Sequence, residues 1–79
     1  METIAAHIRR LVAQETGKPI EAVRFNSQLG ELTDSAVNLQ LLAMEIERIH
    51  DIQIGDLQFS TSVAQLTGDV LQAKQKEAA

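Results

Sequence analysis

Apolar residues at helical spacing open the chain. Four aliphatic side chains recur at positions i, i+4, i+7 and i+8 and therefore share one helix face: Ile4, Ile8, Leu11 and Val12. Thr3 can cap the N-terminus of this helix, and Gly17, followed by Pro19, ends it. The pattern therefore predicts a first helix over residues 3–16.

The next segment, residues 17–33, loses this periodicity and is rich in residues that favour turns. Those residues are Gly17, Pro19, Asn26, Ser27 and Gly30. Five apolar residues are scattered among them: Ile20, Val23, Phe25, Leu29 and Leu32. We therefore predict a long first loop without regular structure that packs over the helices. Long connections of this kind are often functional.

A second helix is predicted from Asp34 or Ser35, either of which can cap it, to about His50. One face of this helix carries Leu39, Leu42, Ile46 and Ile49. A second apolar stripe, on roughly the opposite side, consists of Val37, Leu41 and Met44. A helix that is apolar on two sides is either buried on both or shows one side to a partner. The stripe is therefore either covered by the first loop or a docking surface.

The rest of the chain contains one more long helix. Residues 52–54 alternate like a strand but have no second strand to pair with, so we predict an extended connection and then a short helical turn near residues 55–59. The last helix is predicted to begin at Ser60 or Thr61 and to fray over residues 73–79. Its apolar face contains Val63, Leu66, Val70 and, at the edge, Leu71.

The predicted fold is therefore all-α. Three main helices, with the short helical turn near residues 55–59 as a fourth, form a small bundle with a long first loop, in a single domain over residues 1–79.

Composition and charge narrow the classes of function. The chain has 79 residues, too few for most self-contained enzyme folds, and no cysteine for disulfides or thiol chemistry. Its 44% hydrophobic and 23% charged residues are typical of a globular rather than a disordered chain. The net charge is −4, and residues 30–70 hold seven acidic residues against one arginine. This acidic block disfavours nucleic-acid binding and favours basic protein partners, unless it is simply a solvated surface. No apolar run predicts a membrane span and no secretory signal is evident, so we expect a cytoplasmic protein.

Few residues offer catalytic or ligand chemistry. His7 and His50 lack the spacing of a metal site, so we expect structural roles for both. A hydrolytic triad is not expected either, because a chain of this size offers little room for a cleft and an oxyanion hole. The remaining candidate is Asp34-Ser35 at the start of the second helix. It is either a plain helix cap or a place to hold a phosphate diester, since free N–H groups and the helix dipole favour an anion there.

The order of motifs resembles the acyl carrier protein family over nearly the whole chain. The first helix is followed by Thr-Gly-Lys-Pro-Ile-Glu-Ala-Val at 16–23, by Leu29-Gly30 and by Asp34-Ser35. Glu-Arg-Ile-His at 47–50 then leads into Ile-Gln-Ile at 52–54, and Ser-Thr-Ser-Val-Ala-Gln-Leu at 60–66 opens the last helix. None of these pieces is specific alone, but their order and spacing together are fairly specific.

The resemblance implies a four-helix bundle with a short third helix, a cofactor and a set of partners. Ser35 would be esterified by 4′-phosphopantetheine, delivered from coenzyme A by a phosphopantetheinyl transferase, with Asp34 as its acidic neighbour. The thiol of the arm would carry acyl or aminoacyl groups as thioesters between loading enzymes and transferases or synthases. The chain itself would be a monomer and not an enzyme. The face of the second helix that those partners read would comprise Ala36, Val37, Gln40, Leu41, Met44, Glu45 and Glu47.

The sequence departs from the family pattern beside the serine. Carrier proteins of fatty acid synthesis usually have leucine where this chain has Ala36, and acids where it has Val37 and Asn38. These departures favour a carrier of a specialised pathway over the carrier of general fatty acid synthesis. They do not distinguish between fatty acyl, polyketide and amino acid cargoes. The alternative is an unmodified interaction module of the same fold that docks through the stripe of Val37, Leu41 and Met44.

Overall fold

The computed structural model describes the backbone of residues 2–78 and the side chains of residues 2–76. Within these residues every regular secondary-structure element is a helix. The long helices are α1, Ile4–Thr16, α3, Ala36–His50, and α4, Val63–Ala78. Two short pieces lie between α1 and α3: a single 3₁₀ turn, Ile20–Ala22, and α2, Leu29–Leu32. The prediction of a small helical bundle with three main helices is confirmed.

The ends of α1 follow directly from local sequence. The Thr3 hydroxyl accepts a hydrogen bond from the Ala6 N–H at 3.1 Å, as the predicted cap requires. Gly17 ends the helix with a φ of 71°, in the left-handed region that glycine adopts without steric cost, and its N–H donates to the Ala13 carbonyl. Both predicted boundaries of α1 are confirmed.

The core forms around α1, which packs against both α3 and α4. Aliphatic residues at helical spacing on the three long helices are buried together with side chains from the first loop: Ile8, Leu11, Val12, Val23, Leu29, Leu32, Leu39, Leu42, Ile46, Ile52, Val63, Leu66 and Val70. The loop therefore packs over the helices as predicted, through Val23, Leu29 and Leu32, whereas Phe25 remains about half exposed.

The short helix lies at a different place from the one predicted. Residues 55–59 form no helix; Gly55 has a φ of 76°, which interrupts helical backbone, and the segment has no regular structure before a turn at Phe59. The prediction of a helical turn there is wrong. The short helix α2 instead lies in the first loop, which we had expected to lack regular structure.

Backbone hydrogen bonds from a distant segment stabilise α2. The N–H groups of Leu29 and Gly30, which no helix carbonyl can satisfy, donate to Thr61 and Phe59 carbonyls at 2.9 and 2.8 Å. Further along, the Val63 N–H donates to the Ser27 carbonyl at 2.9 Å. The first loop and the segment before α4 are thus joined by main-chain bonds.

The last helix begins later than predicted. Ser62 is the cap: its hydroxyl accepts from the Gln65 N–H at 3.0 Å, and the Gln65 side chain accepts from the Ser62 N–H at 3.1 Å. Thr61 instead accepts from the Gln58 N–H in the preceding turn, so a start at Ser60 or Thr61 is wrong. Residues 73–78 are helical, whereas Ala79 lies outside the described residues, and fraying of this end stays a prediction. Among the described helices, none has the length and apolar character needed to cross a bilayer.

Candidate functional site

Ser35 is the N-cap of α3, at one of the two predicted positions. Its backbone is extended, and its half-buried side-chain oxygen accepts the Asn38 N–H at 3.3 Å. Thr33 supports this geometry, because its hydroxyl oxygen accepts both the Ser35 N–H at 3.1 Å and the Asn38 side-chain amide at 2.9 Å. Asp34 is exposed to solvent beside it. The serine oxygen is therefore held at the helix start and is not shut inside the core.

The roles of Thr33 and Asn38 were not anticipated from the sequence. A threonine two residues before a serine, and an asparagine three residues after it, are the spacings at which these side chains bond to a helix start. That signal was present at 33–38, but it is common at ordinary caps and does not by itself mark a site.

The second apolar stripe of α3 is uncovered. Val37, Leu41 and Met44 retain 61%, 46% and 57% of their accessible surface. On the opposite face Leu39, Leu42 and Ile46 are buried as predicted, but Ile49 is 39% exposed and falls outside the core. Of the two alternatives weighed for the stripe, burial beneath the first loop is wrong for the described residues. Gln40 and Ala36 are exposed beside it.

An open groove of about 570 Å³ runs along one flank of the stripe. One wall is α3, from Ala36, next to Ser35, through Gln40 and Met44 to Glu47. The other wall is the irregular segment of residues 55–59. The sequence prediction placed a helical turn in that segment, so it missed this groove.

The two acidic residues predicted on the partner face lie on opposite flanks of the stripe, since residues two apart on a helix differ by about 200° in direction. Glu45 forms an ion pair with Arg48, which raises the pKa of that guanidinium through the hydrogen bond and the charge of Glu45. Glu47, on the groove side, accepts the Ile54 N–H at 3.0 Å and so fixes the start of the segment after α3. Both carboxylates therefore already have bonding partners within the fold.

The two histidines, considered separately in the sequence, meet at the far end of α3. His7 Nδ1 lies 3.1 Å from His50 Nε2, and the Lys74 ammonium lies 3.4 Å from His50 Nδ1. All three side chains are half-buried. Burial, and then the charges of Lys74 and His7, lower the pKa of His50 below its ordinary value. No periodicity predicts this contact, because it joins residues 43 positions apart.

Ser35 is far from the histidine at the other end of α3. Ser35 and His50 bracket α3, so about 22 Å of helix separates them at 1.5 Å per residue. A hydroxyl and an imidazole at that distance cannot exchange a proton directly. No group of three His, Cys, Asp or Glu side chains in the described part of the chain is arranged to hold a metal ion.

Comparison with known proteins does not assign the chain to a family. No family model matches the chain, and no curated protein or solved structure matches it. The features of this chain that bear on function are therefore Ser35, the groove and the exposed stripe, together with the order of motifs along the sequence.

Proposed function

We propose that this protein is an acyl carrier protein that holds acyl or aminoacyl groups on a 4′-phosphopantetheine arm attached to Ser35. The observation that carries the proposal is the placement of one serine hydroxyl. Ser35 caps α3 directly after an exposed aspartate. It immediately precedes Ala36, which lines the open groove, and it lies two residues before Val37, the first residue of the uncovered stripe. In this proposal the chain acts in the cytoplasm as a carrier, and its partner enzymes perform the chemistry on the cargo.

The residues around Ser35 fit a phosphate ester. The first N–H groups of α3 and its dipole favour an anion at this end, and Asp34 is exposed, so water screens its charge from a phosphate. Coenzyme A supplies the arm, whose terminal thiol holds the cargo as a thioester. In the transfer, Ser35 Oγ would form a bond to the phosphorus next to pantetheine, and the pyrophosphate bond of coenzyme A would break. Adenosine 3′,5′-bisphosphate would leave, and the serine proton would pass to the transferase. Thr33 and Asn38 hold the Ser35 backbone and oxygen in place for that reaction.

The uncovered stripe fits the transient partners of a carrier. Val37, Leu41 and Met44 offer an apolar centre beside the helix start, and the acidic Glu45 and Glu47 lie on its two flanks. Basic surfaces of a phosphopantetheinyl transferase and of loading or synthase enzymes complement this arrangement, and such contacts weaken with added salt. The tether then raises the effective concentration of cargo at each partner.

The proposal is tested by intact mass spectrometry after incubation with coenzyme A and a broad-specificity phosphopantetheinyl transferase. We expect one added phosphopantetheine on the wild type and none on Ser35→Ala. The matched control is Ser62→Ala, because Ser62 is also a capping serine, at the start of α4. Each substitution should cost about 1 kcal/mol of stability through the lost cap, but Ser62→Ala should still be modified. Modification of Ser35→Ala, or none of a folded wild type by several transferases, contradicts the proposal.

A second candidate is an unmodified interaction module, which the exposure of the stripe favours independently of Ser35. In that case Leu41→Gln and Met44→Gln abolish binding to a partner, whereas Ser35→Ala leaves it unchanged. If the protein is a carrier, Ser35→Ala instead abolishes its function, because the arm that holds the cargo can no longer be attached.

A further inference from the structure

Three side chains from three helices form one hydrogen-bonded chain at the end of the bundle remote from Ser35. His7 projects from α1, His50 is the last residue of α3 and Lys74 lies in the second half of α4. The imidazole rings are tilted by 56°, with their centroids 4.9 Å apart, so they meet through their nitrogens and not by stacking. The Lys74–His50 contact links α3 directly to α4.

The chemistry of lysine fixes the direction of every bond in this chain. A lysine ammonium only donates, so His50 Nδ1 must accept and carries no proton. A neutral His50 then bears its proton on Nε2 and donates it to His7 Nδ1, which must also be unprotonated. Both hydrogen bonds of this series can form together only when both imidazoles are neutral, each with its proton on Nε2.

Each protonation therefore breaks one particular bond. A proton added to His50 Nδ1 sets two donors against each other and puts a second positive charge beside Lys74. A proton added to His7 Nδ1 removes the acceptor that His50 needs. The charges acting on His50 are both cationic, Lys74 and protonated His7. Glu2 acts on His7 but is itself bound by Arg10, and the Asp51 carboxyl is exposed.

We infer that His7, His50 and Lys74 form a proton-sensitive clasp that joins α1, α3 and α4 when both imidazoles are neutral and opens under mild acid. The sign follows from the folded state. Since the pKa of His50 is lowered on folding, the clasp contributes fully above the ordinary histidine value of 6.5 and is lost as pH falls through the lower folded value. This inference does not depend on Ser35 or on any cargo.

The test is a nitrogen NMR titration of the two imidazoles in the full chain between pH 8 and pH 5, with thermal unfolding measured over the same range. We expect both rings to carry a proton on Nε2 at pH 8 and the titration midpoint of His50 to lie below 6.5. The unfolding temperature should decrease as His50 becomes protonated. Because glutamine does not titrate, His50→Gln should remove most of this decrease in unfolding temperature between pH 8 and pH 5. A proton on His50 Nδ1 at pH 8, or an unchanged pH profile in His50→Gln, overturns the clasp.

A second pair of variants keeps the test decisive if His50→Gln does not fold. Lys74→Met removes the donor and a repelling charge, so the His50 midpoint should rise towards 6.5, and each full unit of that rise is a tenfold change in the protonation ratio. Lys76→Met removes the same charge from the same helix at an exposed position. Equal effects of the two variants on the His50 midpoint overturn the inference, because the contact with Lys74 would then have no specific part in it.

Discussion

The close approach of α2 to the segment before α4 leaves no room for a side chain at residue 30. A Cβ placed on Gly30 would lie 3.0 Å from the carbonyl oxygen of Phe59 and 3.1 Å from its Cβ. Those distances are several tenths of an ångström inside ordinary contact. The Phe59 carbonyl cannot easily retreat, because it accepts the Gly30 N–H at 2.8 Å and the neighbouring Thr61 carbonyl accepts the Leu29 N–H at 2.9 Å.

Gly30→Ala should therefore destabilise the fold although alanine is the better helix former. Forcing a methyl group into a packed contact costs about 1–3 kcal/mol, whereas replacing glycine in a helix returns about 0.5–1 kcal/mol. These two ranges leave a net loss of up to about 2.5 kcal/mol, with a central value of about 1 kcal/mol. Since about 1 kcal/mol moves the melting temperature of a domain of this size by roughly 4–8 °C, the loss should be plain in a thermal melt.

Gly68 provides the matched control for the same substitution. It lies within α4 and a Cβ there would meet no atom within 4 Å. Gly68→Ala should therefore stabilise the protein by about 0.5–1 kcal/mol through helix propensity alone. The assay is thermal or urea unfolding of the two variants beside the wild type, followed by helical circular dichroism. Equal stabilisation by both substitutions would refute the reasoning, because it would mean that the segment at Phe59 moves aside at no cost.

Two further predictions concern the first loop and the two faces of α3. Arg9→Met should cost about 1–2 kcal/mol, because the guanidinium donates to the Val23 and Ile20 carbonyls and ties the loop to α1; urea unfolding measures the loss. Leu42→Ala should cost about 2–5 kcal/mol because the side chain is fully buried, whereas Leu41→Ala should change the unfolding free energy by about 0.5 kcal/mol or less; similar losses would contradict the assignment of faces.

The long helices were predictable because their causes are local. Thr3 and Gly17 bound α1 through contacts within four residues, and Ser35 caps α3 in the same way. The location of α2 was not predictable on those grounds. Its first N–H groups are satisfied by carbonyls of Phe59 and Thr61, about thirty positions along the chain, and no local pattern carries that information.

Parts of the candidate site with local causes were likewise predictable, whereas parts that depend on distant residues were not. Ser35 and the stripe of Val37, Leu41 and Met44 follow from capping and helical spacing, and the structure confirms the cap. The sequence left burial and exposure of the stripe open, and in the structure the stripe is exposed. The groove beside them requires that residues 55–59 are not helical, and Gly55 has a left-handed backbone in that segment. The Glu47 carboxylate also accepts the Ile54 N–H, seven positions away, which is beyond the range of a capping pattern. The histidine clasp is the extreme case, since it joins three helices through side chains alone.

The exposed stripe has no explanation in the packing of the described residues. α1 contacts both other long helices, and α3 meets it with only its buried face. A sequence selected for stability alone gains nothing from valine, leucine and methionine at 37, 41 and 44, where polar side chains would serve the helix equally well and keep it apart from other molecules. Methionine in particular adapts its shape to different contacts. Since the stripe lies next to a capping serine and an open groove, its exposure is consistent with our proposal that this surface meets successive partners.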